Sequence, residues 1–232
     1  MSVRRDDMLL PDDEGWLKAP EGSALADFLE RARSGLSSTP PPPYSPDAFP
    51  RLNGDHAISP LPGQTAPAKM PRKAAVLVPV MARPEPTILL TLRSAHLSHH
   101  AGQVAFPGGR MDPEDRDEKD AAFREAWEEV GLQARFIHAL GYMEGYLSST
   151  GYWIVPVVGL VNPVCTLTPN PSEVDEVFEV PLKFLMTPAN HERHSREWQG
   201  TLRHYYAMPY EGRFIWGVTA GMLRNLYERV YA

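Results

Sequence analysis

The sequence predicts an α/β protein in which a mixed β-sheet is held between helices. Three observations predict it. Apolar, β-branched runs such as KAAVLVPV and TILLTLRS read as strands bounded by turn residues. DEKDAAFREAWEEV and IWGVTAGMLRNLYERV repeat their apolar residues at helical spacing. The two kinds of segment intermix without a steady βαβ rhythm, which favours a mixed sheet over a doubly wound parallel one.

Residues 1–72 form an N-terminal extension, polar and proline-rich, and 73–232 form the main domain. Within the extension, Leu25, Phe28, Leu29 and Ala32 follow an i, i+3, i+4, i+7 pattern, with Ser23 as N-cap and Gly35 as the stop. STPPPPYSP follows, with further prolines at 50, 60, 62, 67 and 71, and favours an extended, non-packing connector over an SH3-type ligand. In the main domain the two first strands are separated by a turn at ARPEP, and VAFPGGRMDPED runs from a short strand into a glycine-proline loop. A helix ending at Gly131 comes next, then the β-rich ARFIHALGYMEGY and GYWIVPVVGLV. EVDEVFEVPLKFLM reads as a strand and one helical turn, and HERHSREW and TLRHYYAM as a hairpin about Gln199-Gly200. The last helix places Val218, Met222, Leu226 and Val230 on one stripe.

The 232 residues suffice for one domain with a sizeable core, and 24 prolines are about twice average usage. A formal net charge of −6 argues against a nucleic-acid or membrane-surface binder, but leaves room for an anionic ligand in a local basic pocket. The single cysteine, Cys165, cannot form an internal disulfide and reads as inert and buried in a reducing compartment. With no apolar run of membrane-spanning length and no signal-type h-region, a cytoplasmic protein is expected, as a monomer or homodimer.

REAWEEVGL concentrates Glu125, Glu128 and Glu129 within little more than one turn, where like charges repel. With about 100° per residue, Phe123, Ala126, Trp127 and Val130 form the expected buried stripe and the three glutamates the opposite face. No i+4 lysine relieves the acids, Arg124 stands beside them, and the glycine loop FPGG precedes the helix. Clustered carboxylates next to a backbone able to approach phosphate suit a hard divalent cation shared with a phosphate substrate.

GGRMDPEDRDEKDAAFREAWEEVGL resembles the signature of the Nudix hydrolases, matching at Arg124, Glu125, Ala126, Glu128, Glu129, Gly131 and Leu132. Its first half is one residue longer than the general pattern, with Asp115 where the spaced glutamate would stand. LLTLRSAHLSHHAGQVAFPGG, Leu89 to Gly109, is similar to the upstream motif of the coenzyme A pyrophosphatase branch, with Ser98 in place of the usual arginine. The resemblance spans about residues 74–230 and implies a Nudix α/β/α sandwich with a mixed sheet. It implies metal-dependent hydrolysis of the diphosphate of coenzyme A or acyl-coenzyme A to 3′,5′-ADP and 4′-phosphopantetheine or its acylated form. Mg²⁺ or Mn²⁺ would be the cofactor and a small molecule, coenzyme A or a related nucleoside diphosphate, the substrate, with no nucleic acid or membrane as partner. The alternatives are a Nudix enzyme acting on ADP-ribose or a (d)NTP, and a non-catalytic Nudix ligand-binding module.

By the same resemblance Glu125, Glu128 and Glu129 are the metal ligands, and Glu125, Glu128, Arg124 and Glu173 the catalytic set, Arg124 as an orienting ion-pair partner. Glu173 and Glu176 both come from NPSEVDEVFEV, and a solvent-facing pair is the alternative. Arg93, His100, Gln103, Gly108 and Gly109 are the expected substrate contacts. Asp112, Glu114 and Asp115 are turn formers first and ligands second. His96 and His99 read equally well as an exposed loop, Trp216 as a base-stacking ring or as core, and Tyr142 and Tyr146 as borders of a pantetheine path.

Overall fold

The computed structural model describes residues 14–49, 51–60, 63–198 and 200–232; the segment MSVRRDDMLLPDD, Pro50, Pro62 and Gln199 lie outside the described residues. Leu61 lies outside them as well. In chain order come α1 (Ala24–Gly35), β1 (Asn53–Gly54), α2 (Asp55–Ile58), β2 (Arg72–Met81), β3 (Thr87–Arg93), β4 (Val104–Ala105), β5 (Gly108–Arg110) and α3 (Glu118–Val130). Then follow β6 (Ile137–Tyr142), β7 (Tyr146–Leu147), β8 (Tyr152–Val161), β9 (Val174–Pro181), α4 (Leu182–Leu185), β10 (Glu192–Trp198), β11 (Thr201–Tyr210), β12 (Arg213–Trp216) and α5 (Gly217–Val230).

The central sheet runs β1-β7-β8-β2-β3-β4, with β5 paired to β2, β6 to β8 and β9 to β3. It is mixed, as expected: β2 and β8 are parallel over their whole length, and β2–β5 and β3–β9 are antiparallel. The parallel pair explains the uninterrupted apolar runs, because such strands are covered on both faces. On β2, Ala75, Leu77 and Met81 face α3, while Val76, Val78 and Val80 join the core shared with α1 and α5. The result is the α/β/α sandwich. β10, β11 and β12 form a separate three-stranded sheet, with Trp198 opposite Thr201 in the expected hairpin.

The non-packing connector is a correction. Tyr44 is buried against Trp153 and Asn53–Gly54 adds a parallel strand to β7, whereas α1 docks on the domain through Leu25, Phe28 and Ala32, as its helical spacing leads one to expect. Apolar side chains scattered among prolines carry no periodic signal, yet Tyr44, Phe49 and Leu52 pack together against Leu147, Trp153 and Val155. Gly35 is also not a left-handed cap: α1 ends on extended Leu36, and a Cβ at Gly35 would lie 2.5 Å from the Arg229 carbonyl oxygen. Its smallness lets α1 meet the end of α5. Ser23 does cap, accepting from the Ala26 amide.

Candidate active site

Helix α3 starts on Asp117, whose carboxylate accepts from the Asp120 amide, and stops on Gly131 in the left-handed region that glycine adopts freely. Its buried side is Ala121, Ala122, Ala126, Glu129 and Val130. Trp127 is 52 % exposed and Glu129 only 2 %. The expected stripe through Phe123 and Trp127 is therefore rotated by roughly one residue step, about 100°. The cause is steric: alanines let the helix settle close to β5, where a larger ring would hold it off. The three carboxylates do not share one solvent-facing surface. Glu129 is inside, Glu125 is largely covered, and Glu128 is 49 % exposed.

Each acid has a defined partner. Glu129 accepts from Arg93 Nη1 at 3.2 Å and from the Gly108 amide at 3.1 Å. Arg124 works as a clamp: Nη1 donates to Glu125 and to Glu128, both at 3.0 Å, while Nε and Nη2 reach Asp115 at 2.9 and 2.8 Å. The same guanidinium donates to the Arg110 carbonyl at 3.2 Å, tying α3 to β5. A Cβ at Gly109 would lie 2.6 Å from the Glu125 carboxylate, so a side chain there would push that carboxylate from its present seat. Glu173 accepts from Asn170 Nδ2 at 3.1 Å, and its carbonyl accepts from the Ser94 amide at 2.8 Å.

The charges are crowded. Burial pushes the Glu129 carboxyl up to about 7, helped by repulsion from Glu125 and Glu173 and opposed by Gly108 and Arg93. Burial also raises Glu125, with Arg124 opposing and Glu128 and Glu173 adding repulsion. Glu173 thus adds repulsion to both inner glutamates. Asp115 is held below the usual carboxylate range, chiefly by its bonds to Arg124. It is a structural partner of the clamp, in keeping with its reading as a turn former.

The NUDIX domain family model matches residues 70–199, more than half of the chain. The chain belongs to the Nudix family. It is similar, at 44 % identity over 159 residues covering 68 % of this chain and 80 % of the relative, to an uncharacterized Nudix hydrolase, NudL, of Yersinia pestis (strain Pestoides F). The NudL of Yersinia pseudotuberculosis serotype O:1b (strain IP 31758) matches with the same values. Among solved structures, the Nudix hydrolase RenU from M. smegmatis aligns with a TM-score of 0.43 at 21 % identity, covering 68 % of this chain and 84 % of that one; a likeness of this size adds nothing to the assignment. Family membership makes the chain a hydrolase acting on phosphoric anhydrides.

Nudix hydrolases use divalent ions such as Mg²⁺ or Mn²⁺, and the donor set here fits one. Glu125, Glu128, Glu129 and Glu173 offer oxygen alone, and two of them are desolvated acids whose charge a cation would relieve. Among the described residues no three acidic, imidazole or thiol groups already form a closed cage. The arginines explain this: Arg124 draws Glu125 and Glu128 toward itself, and Arg93 holds Glu129.

The expected substrate contacts divide. Arg93 is at the cluster, with its Nε buried and without a hydrogen-bond partner among the described residues. The Gly108 amide donates to Glu129 at 3.1 Å. His100 and Gln103 pair with each other at 2.9 Å on the exposed loop whose base is closed by Arg93 and Gln103. Ser98 and His99 bond on the same loop at 2.9 Å. Glu176 is drawn away to Arg213 of β12. Tyr146 is fully buried and donates to Asp55 at 2.7 Å, so it borders no open path, whereas Tyr142 is half-buried beside the Tyr44 cluster. Asn170 was missed. Its signal is NPSE: Asn170 Oδ1 takes the Ser172 amide and hydroxyl in a turn, leaving its Nδ2 for Glu173. Among the described residues no helix is long and apolar enough to cross a membrane.

Proposed function

We propose that this Nudix hydrolase cleaves the diphosphate of coenzyme A or an acyl-coenzyme A, releasing 3′,5′-ADP and 4′-phosphopantetheine or its acylated form. The observation that supports it most is the meeting of two motifs: Arg93, from the stretch resembling the coenzyme A branch, bonds Glu129 of the Nudix helix. A diphosphate hydrolase needs its anion-seeking arginine and its acids at one point.

Glu125 and Glu129, with Glu128 at the rim, would hold the divalent ion, and Arg124 keeps Glu125 and Glu128 within reach of it. A bound ion would neutralise the diphosphate and lower the proton affinity of the attacking water. Glu173, oriented by Asn170, would accept the proton from water, a reading supported by its repulsion of Glu125 and Glu129. Arg93 has donors to spare beyond Glu129 for a phosphate oxygen.

The test is product formation from coenzyme A, acetyl-coenzyme A, ADP-ribose and dNTPs, with and without Mg²⁺. Coenzyme A or its acyl form should give the highest kcat/KM, and a better rate on ADP-ribose or a dNTP would overturn the substrate. Glu129→Gln should lower kcat about a hundredfold or more with the thermal midpoint preserved. An unchanged rate in that variant would return the non-catalytic reading.

A further inference from the structure

Strand β9 carries one residue more than its partner β3 where the two reach the acids. Thr91 pairs with Val177 and Leu92 with Glu176, but Arg93 pairs with Val174, so Asp175 bulges out of the ladder. Paired residues share a face, and side chains alternate along each strand. Leu89, Val177 and Val174 all belong to the apolar cluster beneath α3, where Val174 is 3 % exposed. In a regular ladder the place opposite Arg93 would fall to Asp175, because a slip of one residue exchanges the two faces. A carboxylate there would compete with Glu129 for the guanidinium. The bulge gives that place to Val174, and Arg93 Nη1 donates to Glu129 at 3.2 Å.

The displaced acid has a partner of its own. Asp175 Oδ2 accepts from the Ala95 amide at 2.9 Å, beside the Ser94 amide that donates to the Glu173 carbonyl at 2.8 Å. Arg93 is held on its other edge: its amide donates to the Gln103 carbonyl and its carbonyl accepts from the Gly102 amide, both at 3.0 Å. Of these four bonds, the one from Asp175 alone uses a side chain, so a substitution can remove it. Asp175 is exposed, and its replacement opens no cavity in the core.

We infer that Asp175 is a positioning residue for Arg93: by holding the Ala95 amide it fixes where the chain leaves β3, and with that the reach of the guanidinium. The inference rests on the reading of Arg93 as a phosphate contact in a diphosphate hydrolase. A carboxylate that accepts from a main-chain N–H makes a charge-assisted bond, stronger than a neutral pair. A bulge beside an active site is a recurrent means of re-aiming a side chain.

The test joins amide hydrogen exchange to steady-state kinetics on coenzyme A. The full chain is compared with Asp175→Ala, Asp175→Asn, Arg93→Ala and the Asp175→Ala/Arg93→Ala double variant. Asp175→Ala should speed exchange at Ala95 and raise KM about tenfold, with kcat within about twofold of wild type. Asparagine keeps an oxygen that can accept the same amide and should restore most of both losses. In the Arg93→Ala background the change at Asp175 should leave KM where it is, because residues acting through one another are not additive. The same rise in both backgrounds, or faster exchange with an unchanged KM, would overturn the inference and reduce Asp175 to a loop cap. So would an Asp175→Asn variant as impaired as Asp175→Ala. Exchange is read without substrate and is independent of the proposed reaction. A wild type that prefers ADP-ribose to coenzyme A would defeat the proposed substrate, and the same cycle on ADP-ribose then decides the positioning. If neither is cleaved, the calorimetric Kd of coenzyme A takes the place of KM in the cycle.

Discussion

Glu129 concentrates the chemistry of the site in one side chain. A carboxylate shut away from water prefers its proton, and Glu125 and Glu173 strengthen that preference. Its pKa of about 7 lies above the ordinary carboxyl value, so the metal-free protein gains stability from it at low pH. That contribution is complete below the unfolded-state pKa and is lost as pH rises through 7. A divalent ion must displace this proton, so its affinity should weaken as pH falls below 7, with protons released on binding near pH 6.5. Calorimetric titration of Mn²⁺ in two buffers of different ionisation enthalpy reads that release directly. Binding with no proton release, or equal affinity at pH 6 and pH 8, would show that Glu129 is not a ligand.

Helices α3 and α5 show how small residues position whole elements. The alanines of α3 bring the helix close to the sheet, and the bare Gly109 backbone leaves the Glu125 carboxylate its present seat. Gly221 plays the corresponding part in α5. Alanine at a helix-interior glycine normally stabilises by about 1 kcal/mol. At Gly221 the added methyl would overlap the Tyr146 hydroxyl, which is buried and bonded to Asp55, so it has no free direction to move. Gly221→Ala should therefore destabilise by about 1–3 kcal/mol, seen as a lower urea midpoint. A midpoint at or above wild type would mean that α5 is free to shift.

Across the whole molecule, the described part of the extension completes the sandwich on the α1–α5 side. Leu25 and Phe28 belong to the main core, and Tyr44 covers Trp153 beside Leu147 and Val155. Burial of each such side chain contributes about 1.5–3 kcal/mol. Removing residues 1–60 should thus cost several kcal/mol, lowering the thermal midpoint by more than about 10 °C or leaving the chain insoluble. A truncated chain that melts with the wild type would show that the domain is self-sufficient from β2 onward.

Local order along the chain determined most of the elements. The continuous apolar runs of β2 and β3, the Asp117 and Gly131 ends of α3, the hairpin at Gly200 and the run of glutamates behind Arg124 are all set by neighbours within a few positions. The family signature rests on the same local spacing and was legible for that reason. What the tertiary structure alone decided depends on residues far apart in sequence. Gly108 is 21 positions from Glu129 and Arg93 is 36, and their bonds, with the close seat of the alanines, turn α3 until that glutamate lies inside. Likewise Arg213 takes Glu176 from 37 positions away and leaves Glu173 to the acids. A helical wheel knows the angles between side chains but not which side the sheet will approach, and only packing supplies that.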